Sequence, residues 1–387
     1  MGDDLDGGAA LPAQIEVVAF DVTPTQNAHR NRGIGRYVAG LAAQLSRQSD
    51  VPIEFWGWSY ARPFEPPPPH RAVWLPRYFI PRSRAPWVFA KLAIRLMARR
   101  SQAPVVHITD PRALSMIPGR TMVTTVYDLI PLAEPASNRG LMERAGYRGY
   151  LRELRRVERV FAISRQTGTE LVERLGLPAS RVAIAPAGLD ARPSDGTGNT
   201  AEAPYFLYLG TAEPHKNLST LVQALQQAGD IPERLVIAGT WYPDQVRALS
   251  EEAQAFPGLL SRLDFRGFVP EPELPALIAG ATALVVPSRR EGFGLPVAEG
   301  LAGNGVVIHS RIPVLLEVSD GAALTFDSDS PAELADALRR VSKDGQVRQD
   351  LQQRGRRRSA ALTWDAALAA TLDVYRELLA RRAGAKR

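Results

Sequence analysis

Short apolar runs alternate with helix-period stretches along almost the whole chain. Residues 15–20 (IEVVAF) are nearly unbroken in apolar character, the mark of a strand buried on both faces. A turn is predicted at 31–35, and Val38, Leu41, Ala42 and Leu45 then recur at helical spacing through 36–46. Further strands are predicted over 53–58, 105–108, 122–126, 160–163 and 182–185, and helices over 87–99, 140–157 and 166–175. The proline run within 63–69 imposes an extended connection. The alternation stops at 190–204, which is polar and rich in Gly, Pro and Ser/Thr, and then restarts. Strands at 205–209, 235–238, 263–266, 284–286, 306–309 and 323–326 are separated by helices at 217–228, 243–256, 273–279, 296–301 and 331–341.

Repeated strand–helix units build parallel sheets with helices on both faces. The expected fold is therefore α/β, with two facing Rossmann-like domains and ligands in the cleft at the strands' C-terminal ends. A disordered tail is expected over 1–14, one domain over 15–190, a linker over 191–204 and a second domain over 205–363. A final helix over 364–387 is expected to pack back on the first domain.

Composition narrows the function. At 387 residues the chain suits two domains of about 180 residues each. It has no cysteine, which excludes disulfides, thiolate metal sites and a cysteine nucleophile. Residues 1–14 lack the basic start and apolar core of a signal peptide, and no apolar run reaches the roughly 18 residues of a membrane span. The chain is expected in the cytoplasm. Its net charge of +6 is uneven: seven Lys/Arg and no acid lie between Arg77 and Arg100. In that stretch Trp87, Val88, Phe89, Leu92, Ile94, Leu96 and Met97 surround Lys91, Arg95 and Arg99, which share one helical face. Arg144, Arg148, Arg152, Arg155 and Arg159 form a second basic series. The segment from Trp87 to Arg100 reads either as a contact with an anionic membrane, at the inner face of the cell membrane, or with a lipid-linked acceptor, or as a helix packed on its sheet with a solvated basic face. A nucleic-acid partner is not expected, because no aromatic platforms line a basic groove.

Two loops carry candidate chemistry. Pro287-Ser288-Arg289-Arg290-Glu291-Gly292-Phe293-Gly294-Leu295-Pro296 follows a buried strand and opens a helix that contains Glu299. Gly292 and Gly294 let the backbone approach a ligand, and the N–H groups of such a loop bind anions. Gly210-Thr211-Ala212-Glu213-Pro214-His215-Lys216-Asn217 lies between a strand and a helix in the same half, with Asn217 placed to cap and Lys216 to face the cleft. Alone, either loop reads as a glycine-containing turn. Together, two anion-friendly loops on one sheet edge favour a diphosphate. Asp128, at a strand end, either orients a substrate or supports its loop, and Arg36 either reaches a phosphate or caps its helix. Asp327-Ser328-Asp329 reads as a solvated turn, and no metal site is expected. His29, His70, His107 and His309 lack ligand spacing and read as structural.

On these residues the chain resembles the family 4 retaining glycosyltransferases of GT-B fold, whose Glu-x7-Glu motif is matched by Glu291 and Glu299. The likeness continues through Gly33-Ile34-Gly35-Arg36-Tyr37, Ala162-Ile163-Ser164, Pro186-Ala187-Gly188-Leu189-Asp190, Gly239, Gly267-Phe268-Val269, Pro287-Ser288, and Leu316-Glu317-Val318 followed by Phe326-Asp327. In style it is similar to bacterial enzymes that build O-antigen and capsule. The resemblance implies that the first domain binds acceptor and the second a nucleoside-diphosphate sugar, with GDP-mannose the first guess. It implies that Lys216 and His215 meet the diphosphate, and that Glu291 lies beside the transferred sugar. Main-chain groups of Gly292, Phe293, Gly294 and Leu295 would reach sugar and phosphate, and Glu299 would hold the ribose. Gly33 and Gly35 would admit the diphosphate, Val269 would flank the base, Gly210 and Gly239 would belong to the donor site, and Tyr127 and Asp128 would meet the sugar or acceptor. No cofactor or metal is implied. Tyr127 stands where the family has His, His215 where it has Arg, and Asn304 and Val306 where it has Gly and Pro. The alternatives are a sugar-nucleotide epimerase of the same fold and a nucleotide-binding protein that has lost catalysis.

Overall fold

The computed structural model describes residues 17–30, 32–59, 65–75, 86–133, 141–189 and 203–385. The expected tail over 1–14, most of the linker over 191–204, and Arg77 among the first basic series lie outside these residues. The N-terminal half contains β1 (Val18–Asp21), α1 (Gly33–Gln48), β2 (Ile53–Trp58), β3 (Arg71–Leu75), α2 (Pro86–Arg99) and β4 (Val105–Ile108). It continues with β5 (Thr121–Val126), α3 (Ile130–Ala133), α4 (Leu141–Leu154), β6 (Arg159–Ala162), α5 (Arg165–Leu175) and β7 (Val182–Ile184). The C-terminal half contains β8 (Tyr205–Leu209), α6 (Leu218–Gln227), β9 (Arg234–Ala238), α7 (Pro243–Gln254), β10 (Leu263–Gly267), α8 (Leu274–Gly280) and β11 (Ala283–Val286). After it come α9 (Leu295–Ala302), β12 (Val307–Ser310), α10 (Pro313–Ser319), β13 (Leu324–Phe326), α11 (Pro331–Lys343), α12 (Gly345–Ser359) and α13 (Asp365–Gly384).

Every strand pairing is parallel. One sheet runs β3-β2-β1-β4-β5-β6-β7 and the other β10-β9-β8-β11-β12-β13. In each, the strand order reverses beside the first strand, between β1 and β4 and between β8 and β11, where α/β folds bind ligands. The central strands β1, β2, β4 and β11 are buried throughout, which explains their unbroken apolar runs.

Four elements escape the sequence pattern: β3, the short helices α3 and α10, and α12. The half-exposed edge strand β3 owes its form to pairing with β2, from Glu54↔Arg71 to Trp58↔Leu75. Helix α12 has only Val347 and Leu351 as large apolar residues. It forms because Asp344 caps it, accepting from the N–H groups of Gln346 and Val347, while Gly355 packs on Leu301 of α9.

The chain crosses back to the first domain after α12. The Leu189 N–H donates to the Leu362 carbonyl, and Gly188 and Gly40 lie against Trp364. Helix α13 then packs on α1, β4 and β7. At its centre the buried His107 of β4 stands 2.6 Å from the Tyr375 hydroxyl and 2.8 Å from that of Thr125.

Burial lowers the pKa of His107 from 6.5 to about 3, and that of His309 to about 4. Both rings stay neutral in the folded protein at pH values where the unfolded chain protonates them. The unfolded state therefore binds more protons below pH 6.5, and stability falls as pH drops through that window towards the folded-state values. The expected loss is about 1.4 kcal/mol per pH unit for each ring. Denaturant unfolding at about pH 6.5 and about pH 5 checks this; His107→Gln should make the dependence shallower.

Candidate active site

The two loops singled out by sequence leave β8 and β11, neighbours at the reversal point of the second sheet. After β8 the chain makes a short turn, Pro214–Lys216, and Asn217 adopts a left-handed backbone (φ 57°) before α6. Asn217 occupies the N-cap position without capping through its side chain. Instead its amide donates to the carbonyls of Pro287 and Ser328, and its Oδ1 accepts from the Thr220 hydroxyl. It ties one loop to the other. After β11, Gly294 takes φ 93°, and α9 begins at Leu295 with no side-chain cap.

This bracing places Lys216 against Glu291. The Lys216 ammonium donates to both carboxylate oxygens, at 2.8 and 2.9 Å, and the Ser288 hydroxyl donates to one of them at 2.7 Å. Glu291 is nearly buried, so this cation and hydroxyl replace its lost hydration. The sequence marks Ser288 only as part of the loop and of the family likeness; its contact with Glu291 follows from the fold.

The first domain supplies the opposite wall. Gly33 and Gly35, expected in a turn, belong to the first turn of α1. Gly35 serves its own loop: a Cβ there would lie 2.3 Å from the His29 carbonyl oxygen. Arg36 does not cap α1. It lies inside α1 and forms ion pairs across the cleft with Glu299 and, at 3.4 Å, Glu271. The Tyr127 side chain, expected to contact sugar, is held by the core, with its hydroxyl donating to the Thr109 carbonyl and its ring edge against Tyr37. Burial pushes its phenol well above the usual range. Asp128 accepts from the Ile130 N–H, and burial raises its carboxyl above the usual range.

The candidate residues named from sequence border one cleft of about 2010 Å³ between the domains. Its walls include Gly33, Gly35, Tyr127 and Asp128 on one side. Facing them are Gly210, His215, Lys216, Gly239, Val269, Glu291, Gly292, Phe293, Gly294, Leu295 and Glu299. The Phe293 ring lies in the core, so its main chain is the part available to a ligand. Asp327-Ser328-Asp329 is a turn in which the Asp329 N–H donates to Asp327 and the Asp329 carboxylate pairs with Arg289.

Arg36 and Glu299 lie on different domains, so their pair bears on closure. Arg36→Met removes the cation from a carboxylate that is only 10% exposed, a change of about 1–3 kcal/mol against the closed form. The expected result is a larger radius of gyration in small-angle scattering of the ligand-free protein.

The basic helices differ in part from expectation. Ile94 and Met97 of α2 belong to the core, whereas Val88 and Leu92 are 62% and 45% exposed beside exposed Arg95 and Arg99. In the second series Arg155 lies beyond α4, and Arg159 begins β6 and pairs with Glu377. No helix among the described residues is long and apolar enough to cross a membrane.

Residues 31–192 match the family described as Glycosyltransferase Family 4, and residues 194–358 match Glycosyl transferases group 1. The chain is similar to the O-antigen chain mannosyltransferase B of Escherichia coli, at 30% identity over 179 residues covering 45% of this chain and 46% of that protein. It thus spans about half the length of that relative. It is also similar to the O-antigen chain mannosyltransferase RfbU of Salmonella typhimurium, at 25% identity over 254 residues covering 65% of this chain and 69% of that protein. Among solved structures, a sucrose-phosphate synthase from Thermosynechococcus elongatus superposes with a TM-score of 0.73 at 21% identity, covering 95% of this chain and all of that one. With two parallel-sheet domains facing across a cleft, and glycosyltransferase family models that together span residues 31–358, the chain belongs to the glycosyltransferases of GT-B fold.

Proposed function

We propose that the chain transfers a hexosyl group, with retention and without a metal ion, from a nucleoside-diphosphate sugar to a lipid-linked or surface-polysaccharide acceptor. What carries this reading is the convergence of Lys216, Glu291 and Glu299 with the uncapped start of α9 on one interdomain cleft. In the reaction, the acceptor hydroxyl oxygen bonds to the anomeric carbon as that carbon's bond to the diphosphate oxygen breaks. The hydroxyl proton passes to the leaving phosphate. Charge grows on the diphosphate, so the barrier falls where fixed cations and N–H dipoles already face it. Lys216 and the 292–295 main chain meet that requirement without a metal. An entering diphosphate draws the ammonium of Lys216, which frees Glu291 to accept from a sugar hydroxyl. Glu299 accepts from the ribose in exchange for Arg36. Retention rests on the family likeness; Glu291, held by Lys216 and Ser288, is not assigned as a nucleophile.

GDP-mannose is the first donor to test, because the O-antigen relatives are mannosyltransferases. A ligand at about a hundred times its Kd stabilises the folded state by about 2.7 kcal/mol, so the cognate nucleoside diphosphate should raise Tm above the others. If GDP, UDP and dTDP all leave Tm unchanged, the donor-site reading fails.

The exposed Val88, Leu92, Arg95 and Arg99 on α2 support peripheral attachment to an anionic membrane, at its cytoplasmic face. Flotation with anionic vesicles at low salt is expected, and Leu92→Asp should abolish it. Equal flotation with neutral vesicles would overturn the electrostatic part.

A further inference from the structure

A second cavity of about 180 Å³ borders Glu291. It shares Asp128 and Glu291 with the main cleft, but not Gly239, Val269 or Glu299, where the nucleotide end of a donor would lie. Its polar walls come from both domains: Gln166 and Glu170 on α5, and Arg290 on the loop after β11. An apolar wall is formed by Ile312, Pro313 and Val314 at the start of α10. Two contacts between domains frame it. The Thr167 hydroxyl donates to the Gly292 carbonyl at 3.4 Å, and the Arg165 N–H donates to Glu317 at 3.2 Å.

We propose that this cavity is an acceptor subsite for a single hexopyranose ring, with Gln166, Glu170 and Arg290 holding its hydroxyls and residues 312–314 meeting its C–H face. The assignment rests on the transferase reading, which puts the transferred sugar beside Glu291. Size argues for one ring, since the cavity falls below the roughly 300–1,000 Å³ of pockets for larger ligands. Chemistry argues for a neutral sugar. The carboxylates of Asp128, Glu170 and Glu291, the Gln166 amide and the guanidinium groups of Arg289 and Arg290 border the space, a set that matches hydroxyls, each both donor and acceptor. A phosphate would face Glu170, Asp128 and Glu291 at close range. Asp128 joins the two spaces: one oxygen accepts from the Ile130 N–H, and the other makes no hydrogen bond among the described residues. Because both domains build the walls, the subsite is complete only when the cleft is closed.

The test uses the full chain with GDP and, separately, UDP present, and methyl α-D-mannopyranoside and methyl α-D-glucopyranoside as probes in saturation-transfer NMR. At least one glycoside should show transfer with wild type. Glu170→Ala and Gln166→Ala should each weaken its binding about tenfold, the expected loss for a hydrogen bond in a charged, enclosed site. Their nucleotide-induced thermal shifts should equal that of wild type, and Glu170→Gln, which keeps the shape, should retain part of the transfer. Nucleotide binding without any glycoside signal, or equal signals in wild type and both alanine variants, would overturn the subsite while leaving the donor site standing. Absence of nucleotide binding would instead remove the transferase reading, and this proposal with it.

Discussion

Lys216→Ala is expected to lower turnover by about 10²–10³-fold while leaving the secondary structure intact, as does the loss of one preorganised donor to a developing anion elsewhere. The loss has two sources. The leaving diphosphate loses its nearest fixed cation, and Glu291, only 8% exposed, keeps just the Ser288 hydroxyl as a partner. A nearly buried carboxylate in that position draws a proton or swings out, and either outcome dismantles the sugar site. Glu291→Ala should cost a similar factor. The double variant should cost much less than the product of the two, because each single change already breaks the same contact. Steady-state kinetics with saturating GDP-mannose, beside circular dichroism, checks this. A Lys216→Ala enzyme within about threefold of wild type would remove the cleft assignment.

Gly292→Ala should be nearly as damaging, for a steric reason. A Cβ on Gly292 would stand 2.1 Å from the Tyr127 carbonyl oxygen and 3.0 Å from its carbon. Both are main-chain atoms of the opposite domain, so no side chain can swing aside. Gly292 does not have a positive φ, so the substitution strains no backbone and acts only through this close approach. The domains must part, and a misplacement of about 1 Å between reacting groups can cost about 10²-fold in rate. Nucleotide binding should persist, since Lys216, Glu291 and Glu299 all lie on the second domain. The expected signature is lost turnover, a retained nucleotide-induced thermal shift and a larger radius of gyration. Normal turnover would mean that this approach of the domains does not belong to the reaction.

Both predictions depend on contacts that local sequence does not reveal. The strand–helix alternation is legible because strands buried on both faces must be apolar throughout and the helices must show one apolar stripe. The glycine-containing loops at 210–217 and 287–295 are legible for a related reason: a chain that turns sharply from strand to helix at a binding edge needs small residues and free N–H groups. Those two loops hold the candidate residues Lys216 and Glu291, and Glu299 follows in the helix that the second loop opens. Helix α12 is less visible, since its surface-facing residues carry no period and its form depends on the Asp344 cap and on packing against α9.

Which side chains meet was decided by the tertiary structure. Tyr127 reads as a sugar contact by position, yet the approach of Thr109 and Tyr37 turns its phenol into core. Arg36 reads as a phosphate ligand or a cap, yet the closed cleft gives it Glu299 and Glu271 as partners. Gln166 and Glu170 have no local feature to mark them, and only the seating of α5 against α10 and the 289–291 loop encloses a cavity beside them. Sequence by itself determined the two α/β domains and the place of the two glycine-containing loops, because burial periodicity and turn chemistry act over a few neighbouring residues. Pairings between residues a hundred or more positions apart depend on how two rigid sheets come to face each other, and no local pattern encodes that.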